Sequence, residues 1–390
     1  MRTAEARMAV VMAVSGRFAF AHPAIVGRVS ESVEVLSPAD TVLVCRSGRI
    51  PKADLEPFAA ALVEGGREVC LATPRMGVYE RLDHLEDGDL VLIDGRSGRI
   101  RTLFRKASTH NALFVTERCN SSCLMCSQPP KDRDDHQLAV CLRMIELLQA
   151  DPPERLGITG GEPTLLRAGF LELLAALKER LPATSITCLS NGRTFSDVSF
   201  AEAVGRIGLP RLRFSIPLHG SISDRHDYIA QAAGSFLETV AGMYNLASNG
   251  VETEIRVVLH ALSVPHLIDL AEYISRKLPF AHQVAFMGLE QMGYVKKNRD
   301  LLRIDPADYA KQLTGAVEHL YRRGMNVSIY NLALCQIPRS LWGLARQSIS
   351  DHKRVMYEEC GRCDAAAHCA GFFTSSKEQH RAPIQPLALQ

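Results

Sequence analysis

The sequence predicts an α/β protein: a partial (β/α)6 barrel of the TIM type, preceded by an α+β domain and followed by a cysteine-rich extension. Three observations carry that prediction. From Ala112 onward, apolar runs of strand length alternate with amphipathic runs of helix length, as a parallel sheet covered by helices requires. Before residue 109 the pattern is one of short β-like runs and Gly-rich turns. After residue 300 the alternation stops and a group of cysteines appears. The expected domains are therefore 1–108, 109–300 and 301–373, with 374–390 a polar, Pro-containing tail expected to be disordered.

In the first domain Met8 to Val14, Ser32 to Leu36, Thr41 to Cys45 and Glu68 to Ala72 read as strands, and Asp54 to Glu64 as a helix. Leu90 to Asp94 enters a Gly-rich turn and returns through Ile100 to Phe104, a hairpin signal. Arg105 to Asn111 reads as a linker. In the second domain the strand patterns are Leu113 to Thr116, Arg155 to Thr159, Ser185 to Leu189, Arg211 to Ile216, Thr253 to Leu259 and Gln283 to Leu289. The helix patterns between them are Leu138 to Leu148, Phe170 to Leu181, Phe200 to Ile207, Phe236 to Ala247 and His266 to Lys277. Asp135 and Ser235 are N-cap candidates, and Asn249-Gly250 is a helix stop. Right-handed crossovers would place functional residues at the C-terminal strand ends. Asp305 to Gly324 then reads as a long helix and Asn326 to Tyr330 as a strand.

A hydrophobic content of 46% over 390 residues is ample for a core, and the length suits two or three domains. A formal charge of +2 gives no electrostatic case for nucleic acid. No apolar run approaches the roughly 18 residues that would span a bilayer. Met8 to Ser15 follows Arg2 and Arg7 as a signal peptide would, but Arg17 interrupts the run, and Val10, Val11 and Val14 suit a first strand equally well. The 11 cysteines, odd in number and clustered, point to metal ligation in a reducing cytoplasm rather than to a disulfide framework. Cys45, Cys70, Cys141 and Cys188 stand singly in apolar segments and read as small buried residues.

The first cysteine group is Cys119, Cys123 and Cys126, spaced C-x3-C-x2-C directly after the run Ala112 to Thr116. Four close thiols would close a tetrahedral zinc site or a fully ligated cluster. Three suit a four-iron cluster with one iron left open; a zinc site completed by a remote histidine is the alternative. Downstream, after Leu156 to Ile158, comes Gly160-Gly161-Glu162-Pro163, which by itself is compatible with an ordinary strand end.

The two motifs in this order, each following a strand, resemble those of the radical S-adenosylmethionine (radical SAM) superfamily, and the resemblance spans residues 110–295. It implies that Cys119, Cys123 and Cys126 ligate a [4Fe-4S] cluster whose open iron takes the amino and carboxylate groups of SAM. One electron delivered into the sulfonium would then release a 5′-deoxyadenosyl radical that abstracts a substrate hydrogen. It also implies that Gly160, Gly161, Glu162 and Pro163 bind the amino end of SAM, with the Glu162 carboxylate on the ammonium. Ser190 and Asn191, in Leu-Ser-Asn-Gly, and Ser215 become candidates for the ribose or carboxylate, although Asn-Gly is equally a turn. Arg256, read as the charge in the middle of the fifth strand, must be paired, either with the SAM carboxylate or in a structural salt bridge. Met287 is a candidate adenine contact. Met125 precedes Cys126 where the superfamily usually has an aromatic residue. His219 is a candidate substrate-side acid or base, against the plainer reading of a hydrogen-bonded structural histidine.

The second group is Cys335, Cys360, Cys363 and Cys369, the last three spaced C-x2-C-x5-C and followed by Gly371-Phe372-Phe373. Four thiols close a site, and C-x2-C fits zinc as well as iron–sulfur. The spacing and position resemble the SPASM/twitch extensions of radical SAM peptide-modifying enzymes, which implies a second [4Fe-4S] cluster that relays an electron. The run from Leu113 to Asp132, the Cys-Ala-Gly-Phe-Phe end and the extra N-terminal domain resemble HxsC, the radical SAM maturase subfamily of His-Xaa-Ser systems. That resemblance implies a peptide or protein substrate bearing His-Xaa-Ser repeats, a second radical SAM maturase and an electron donor as partners. Two other readings compete: a radical SAM enzyme acting on a small molecule in cofactor biosynthesis, and a metal-binding interaction module without catalysis.

Overall fold

The structure, a computed structural model, describes residues 13–18, 23–46, 49–52, 54–65, 75–132, 136–376 and 384–388. The chain forms two compact units: residues 1–113 with 136–156, and residues 114–135 with 157–390.

In the first unit eight strands form one sheet: β1 (Ala13–Ser15), β2 (Arg17–Phe18), β3 (Ile25–Ser30), β4 (Thr41–Cys45), β5 (Ala60–Glu64), β6 (Met76–Tyr79), β7 (Leu90–Asp94) and β8 (Arg99–Phe104). Their order is β1-β8-β7-β3-β4-β5-β6-β2. Only Gly16 separates the two edge strands in sequence, so one bent segment pairs with β8 on one side and β6 on the other. Among the described residues, this one segment thereby bridges the two ends of the sheet. A Cβ on Gly16 would lie 2.3 Å from the Tyr79 ring, whose hydroxyl donates to Gly98 O at 2.8 Å. This closure needs a glycine at the bend.

Two expectations fail in this unit. Asp54 to Glu64 is not a helix; Ala60 to Val63 are all buried in β5, between β4 and β6. A continuous apolar run suits a strand covered on both faces, and periodicity alone does not separate that case from a helix. Ser32 to Leu36 forms no strand either, and Leu36 lies fully exposed. The domain expected to be α+β is thus all-β over its described residues up to Leu113, one 3-10 turn at Pro38–Asp40 aside. The hairpin of β7 and β8 forms as read. Glu68 to Ala72, Cys70, Asp135 and the start of the Met8 to Val14 run lie outside the described residues. Helix α1 (Gln137–Leu148) packs in this unit: Arg28 donates to Leu147 O, and Arg143 pairs with Asp40 and Glu146.

The second unit is built on a parallel sheet. Strands β9 (Ala112–Phe114), β10 (Arg155–Thr159), β11 (Ser185–Leu189), β12 (Leu212–Pro217), β13 (Glu252–Leu259), β14 (Gln283–Gly288) and β15 (Val327–Tyr330) neighbour one another in sequence order. From β11 to β15 every pair is parallel. The helices are α2 (Ala168–Arg180), α3 (Val198–Ile207), α4 (Ser223–Ala230), α5 (Ser235–Ser248), α6 (Leu267–Lys277), α7 (Tyr294–Lys297), α8 (Arg299–Leu302) and α9 (Ala310–Tyr321). Ser235 does not cap α5. Asp227 does so instead, its carboxylate accepting from Gly234 N, Ser235 Oγ and Phe236 N at 2.7–2.8 Å. The long helix expected from Asp305 begins as a 3-10 turn, Pro306–Tyr309, with Asp305 accepting from Ala307 N.

Strand alternation sorts the sheet into two faces. On β13, Ile255, Val257 and Leu259 are buried apolar residues. Glu254, Arg256 and Val258 share the opposite face with Ser215, Gln283, Met287 and Tyr330, by the register of the parallel pairs. That face carries two charged side chains, Glu254 and Arg256, opposite an apolar one.

Candidate functional site

The cysteine loop is held at both ends by backbone. Gly161 N donates to Thr116 O at 2.8 Å and Glu162 N to Arg118 O at 2.7 Å, which ties Gly160-Gly161-Glu162-Pro163 directly to the segment that leads into Cys119. The glycines are required by this contact. A Cβ on Gly160 would lie 2.4 Å from Thr116 O, and one on Gly161 2.1 Å from Arg118 O. Further on, Ser122 N donates to Ala230 O, Leu124 N to Ile229 O, and Tyr294 N to Cys126 O at 2.8 Å. Asn298 Nδ2 donates to Leu124 O at 2.8 Å. Met125 is buried against Ile229, Val295 and Leu302, so it anchors the loop to α4, α7 and α8. The three thiols are mostly buried and close enough for their charges to matter. Burial pushes Cys119 up to about 11; burial and then the charges of Cys119 and Cys126 push Cys123 up to about 12.

Glu162 is a hub and not a free carboxylate. It is fully buried, and Oε1 accepts from Thr164 N at 3.1 Å, Thr164 Oγ1 at 2.5 Å and Ser190 Oγ at 2.8 Å. Oε2 accepts from Asn191 N at 2.5 Å. Burial raises its pKa, and these hydrogen bonds oppose the rise. Pro163 begins the 3-10 turn that Glu162 caps. Ser190 is therefore spent within the protein. Asn191 faces the cysteine loop: its Nδ2 donates to Asn120 Oδ1 at 2.6 Å and lies 3.9 Å from Cys119 Sγ.

The remaining strand-end candidates divide. Ser215 Oγ donates to Glu254 Oε1 at 2.9 Å, and Arg256 Nε donates to the same oxygen at 2.7 Å. Met287 is half-buried on the same face. His219 stands apart from these. It is buried, its N donates to His226 Nδ1 at 3.2 Å, and its own Nδ1 meets no hydrogen-bonding group among the described residues. Burial holds His219 well below the ordinary imidazole range.

In the second cysteine group the structure brings all four thiols to one small cavity, walled by Cys335, Cys360, Cys363, Cys369 and residues 384–387. Cys335 follows β15 in a short 3-10 turn pinned by Trp342, whose Nε1 donates to Leu334 O at 3.0 Å. The others flank the hairpin of β16 (Arg354–Val355) and β17 (Phe372–Phe373). Three backbone amides donate to sulfur: Leu334 N and Gly371 N to Cys369 at 3.3 and 3.4 Å, and Leu387 N to Cys363 at 3.4 Å. Asp364 N also donates to Leu387 O at 3.0 Å, so residues 384–388 do not follow the expected disorder of the tail. Backbone pairing and the cavity wall hold them.

Residues 113–274, which include both the three-thiol loop and the Gly-Gly-Glu-Pro segment tied to it, match the radical SAM superfamily. That stretch is similar to a radical SAM domain. An uncharacterized protein of Methanocaldococcus jannaschii is 26% identical over 169 residues, which is 42% of this chain and 58% of that protein. The chain thus spans less than two thirds of the length of that curated relative. Among solved structures, a tagged form of anSMEcpe with bound AdoMet superposes with a TM-score of 0.51 at 16% identity, over 71% of this chain and 88% of that one. Streptococcus suis SuiB bound to S-adenosylmethionine gives 0.47 at 16% identity, over 56% of this chain and 49% of that one.

The donor set suits the cofactor of this family. Among the described residues no three His, Cys, Asp or Glu side chains converge as ligands of a single metal ion. Thiolates that each hold a different iron of one cluster need not converge. Two residues of the radical SAM domain escaped sequence reading. Arg193 donates to Asn120 O and, at 3.0 Å, to Ser121 Oγ, while its Nε pairs with Glu238 at 2.6 Å. It clamps the cysteine loop to α5, and its place directly after Asn191-Gly192 was the available signal. Glu254 lies two residues before Arg256, and that i, i+2 spacing on a strand was the signal for it.

Proposed function

We propose that this chain is a radical SAM enzyme that modifies a peptide or protein partner. The observation that carries this reading is the direct hydrogen bonding of Gly161 and Glu162 to the segment leading into the three-thiol loop. Cys119, Cys123 and Cys126 would hold a [4Fe-4S] cluster with one iron open, at the C-terminal ends of a sheet that we take as a three-quarter (β/α)6 barrel. When bound, the cluster and SAM supply a 5′-deoxyadenosyl radical by one-electron cleavage of the sulfonium. The chain's own work is positional. Asn191 and Arg193 fix the loop, and Met125 anchors it from below. Glu162 joins the ends of β10 and β11, and its carboxylate acts on the ammonium of SAM through Oε2, which accepts one bond where Oε1 accepts three. Arg256 meets the SAM carboxylate, and Ser215, Ser190 and Met287 support the pocket.

The four thiols of the second group would hold a second [4Fe-4S] cluster in a SPASM/twitch-like extension. The C-x2-C-x5-C spacing of the last three thiols and their place after the sheet support a cluster here, and all four thiols line one pocket. With four protein ligands this cluster has no open iron, so it relays electrons. The partner we favour bears His-Xaa-Ser repeats, as in the HxsC subfamily, with a second maturase and an electron donor. The protein works in a reducing cytoplasm; no helix among the described residues is long and apolar enough to cross a membrane. The test is mass spectrometry of a His-Xaa-Ser-rich peptide coexpressed with this chain. A mass change that depends on Cys123 is expected, and an unaltered peptide alongside active SAM cleavage would reject the peptide reading.

A further inference from the structure

Glu254 sits where an ionised side chain is costly, on the inner face of the central strand β13 and 3% exposed. Four donors meet or support it. Ser215 Oγ from β12 and Arg256 Nε from β13 both reach Oε1, at 2.9 and 2.7 Å. Tyr330 OH from β15 reaches Oε2 at 3.4 Å, and Gln283 Nε2 from β14 steadies that phenol at 2.8 Å. Three strands therefore converge on one carboxylate and a fourth buttresses it. Such an investment of buried polar groups is seldom needed for stability, since apolar residues of the same volume often serve as well.

The consequence falls on Arg256. Its Nε is taken by Glu254, and no further protein acceptor engages its two Nη groups among the described residues. The side chain is 22% exposed against 4% for Glu254, so the guanidinium presents its outer end to the open side of the sheet face. A guanidinium held at Nε offers its Nη pair as a planar fork, the geometry that accepts a carboxylate bidentately.

We infer that Glu254 is a positioning residue: it fixes the Arg256 fork to receive the carboxylate of SAM. This rests on the assignment of Arg256 in the preceding section. Ser215 then acts on the cofactor indirectly, by holding Glu254.

The experiment uses cluster-reconstituted protein and equilibrium binding of two ligands, SAM and its decarboxylated analogue, which keeps the amine and sulfonium. Glu254→Gln should weaken SAM by about tenfold, the scale of a misaligned charge-assisted pair, and change the decarboxylated analogue less than twofold. Glu254→Asp keeps the buried charge but withdraws the carboxylate by one methylene, so it should fold if Glu254→Gln does not, and show a smaller loss confined to SAM. Equal weakening of both ligands, or of neither, by these variants overturns the inference. Arg256→Ala separates the two claims. If it leaves SAM affinity intact, the carboxylate assignment itself fails. If it weakens SAM while both Glu254 variants bind normally, only the positioning role fails.

Discussion

The two cysteine groups solve the same problem in opposite ways. Cys119, Cys123 and Cys126 lie within one loop of eight residues, shaped almost wholly by backbone hydrogen bonds from neighbouring elements. Cys360, Cys363 and Cys369 lie within one run, 360–369, Cys335 joins them from a separate turn, and backbone amides donate to the sulfurs of Cys363 and Cys369. A site that must admit a ligand leaves one position unfilled and is anchored from behind. A site that only stores or passes charge can be closed on every side, and amide donors to sulfur then tune it.

This contrast can be broken most sharply at Cys123. Cys123→Ala should abolish 5′-deoxyadenosine formation and lower the iron of anaerobically reconstituted protein from about eight to about four per chain. Persistent SAM cleavage would show that the loop is not the radical source. The converse variant, Cys369→Ser, should also remove about four irons yet leave SAM cleavage measurable. Modification of the partner should be lost. If its SAM cleavage disappeared as well, the two groups would not be separable in the way their geometry indicates.

Gly161→Ala attacks the link between the motifs. Its Cβ would fall 2.1 Å from Arg118 O, so the ends of β9 and β10 must part. A loss of roughly 2 kcal/mol or more is expected, read as a lowered unfolding midpoint of the metal-free protein together with poor cluster loading. A variant with unchanged midpoint and full loading would mean that the contact is dispensable.

A further prediction concerns pH. His260, directly after β13, is fully buried, both ring nitrogens lack hydrogen-bonding groups among the described residues, and burial lowers its pKa to about 4. His226 is also lowered to about 4, chiefly by burial. A histidine near 6.5 unfolded and 4 folded takes up its proton only in the unfolded chain between those values. Stability is therefore complete above about pH 6.5 and declines as pH falls toward 4, by an amount on the order of 3 kcal/mol per histidine. Denaturation of the metal-free protein at pH 7.5 and pH 5 should show the decline, and His260→Phe should flatten it. An identical slope in that variant would place the proton uptake elsewhere.

Much of the second unit was legible because its signals are local. Parallel strands covered by helices leave apolar runs of fixed length, so β9 to β15 could be read in order. The first unit was less legible for an equally physical reason. Ala60 to Val63 form a strand buried on both faces, which erases the period that tells strand from helix. The closing segment through Gly16 is too short to announce itself. In the site, Glu162 was visible as a motif residue, and its cap on Thr164 is local, but the donors Ser190 and Asn191 meet it only when β10 and β11 align. Arg256 was seen without Glu254, since the pairing depends on both side chains sharing a face turned away from the apolar core.

By itself, the sequence determined the number and spacing of the thiols in the short loop, which are covalent facts that folding does not change. Only the tertiary structure decided how those ligands are held. It set the carbonyls that demand glycine at 160 and 161, the approach of Cys335 to the three thiols at 360–369, and the donors from β12 and β15 that meet the Glu254 carboxylate. These depend on distances between residues far apart in the chain, which no local pattern encodes.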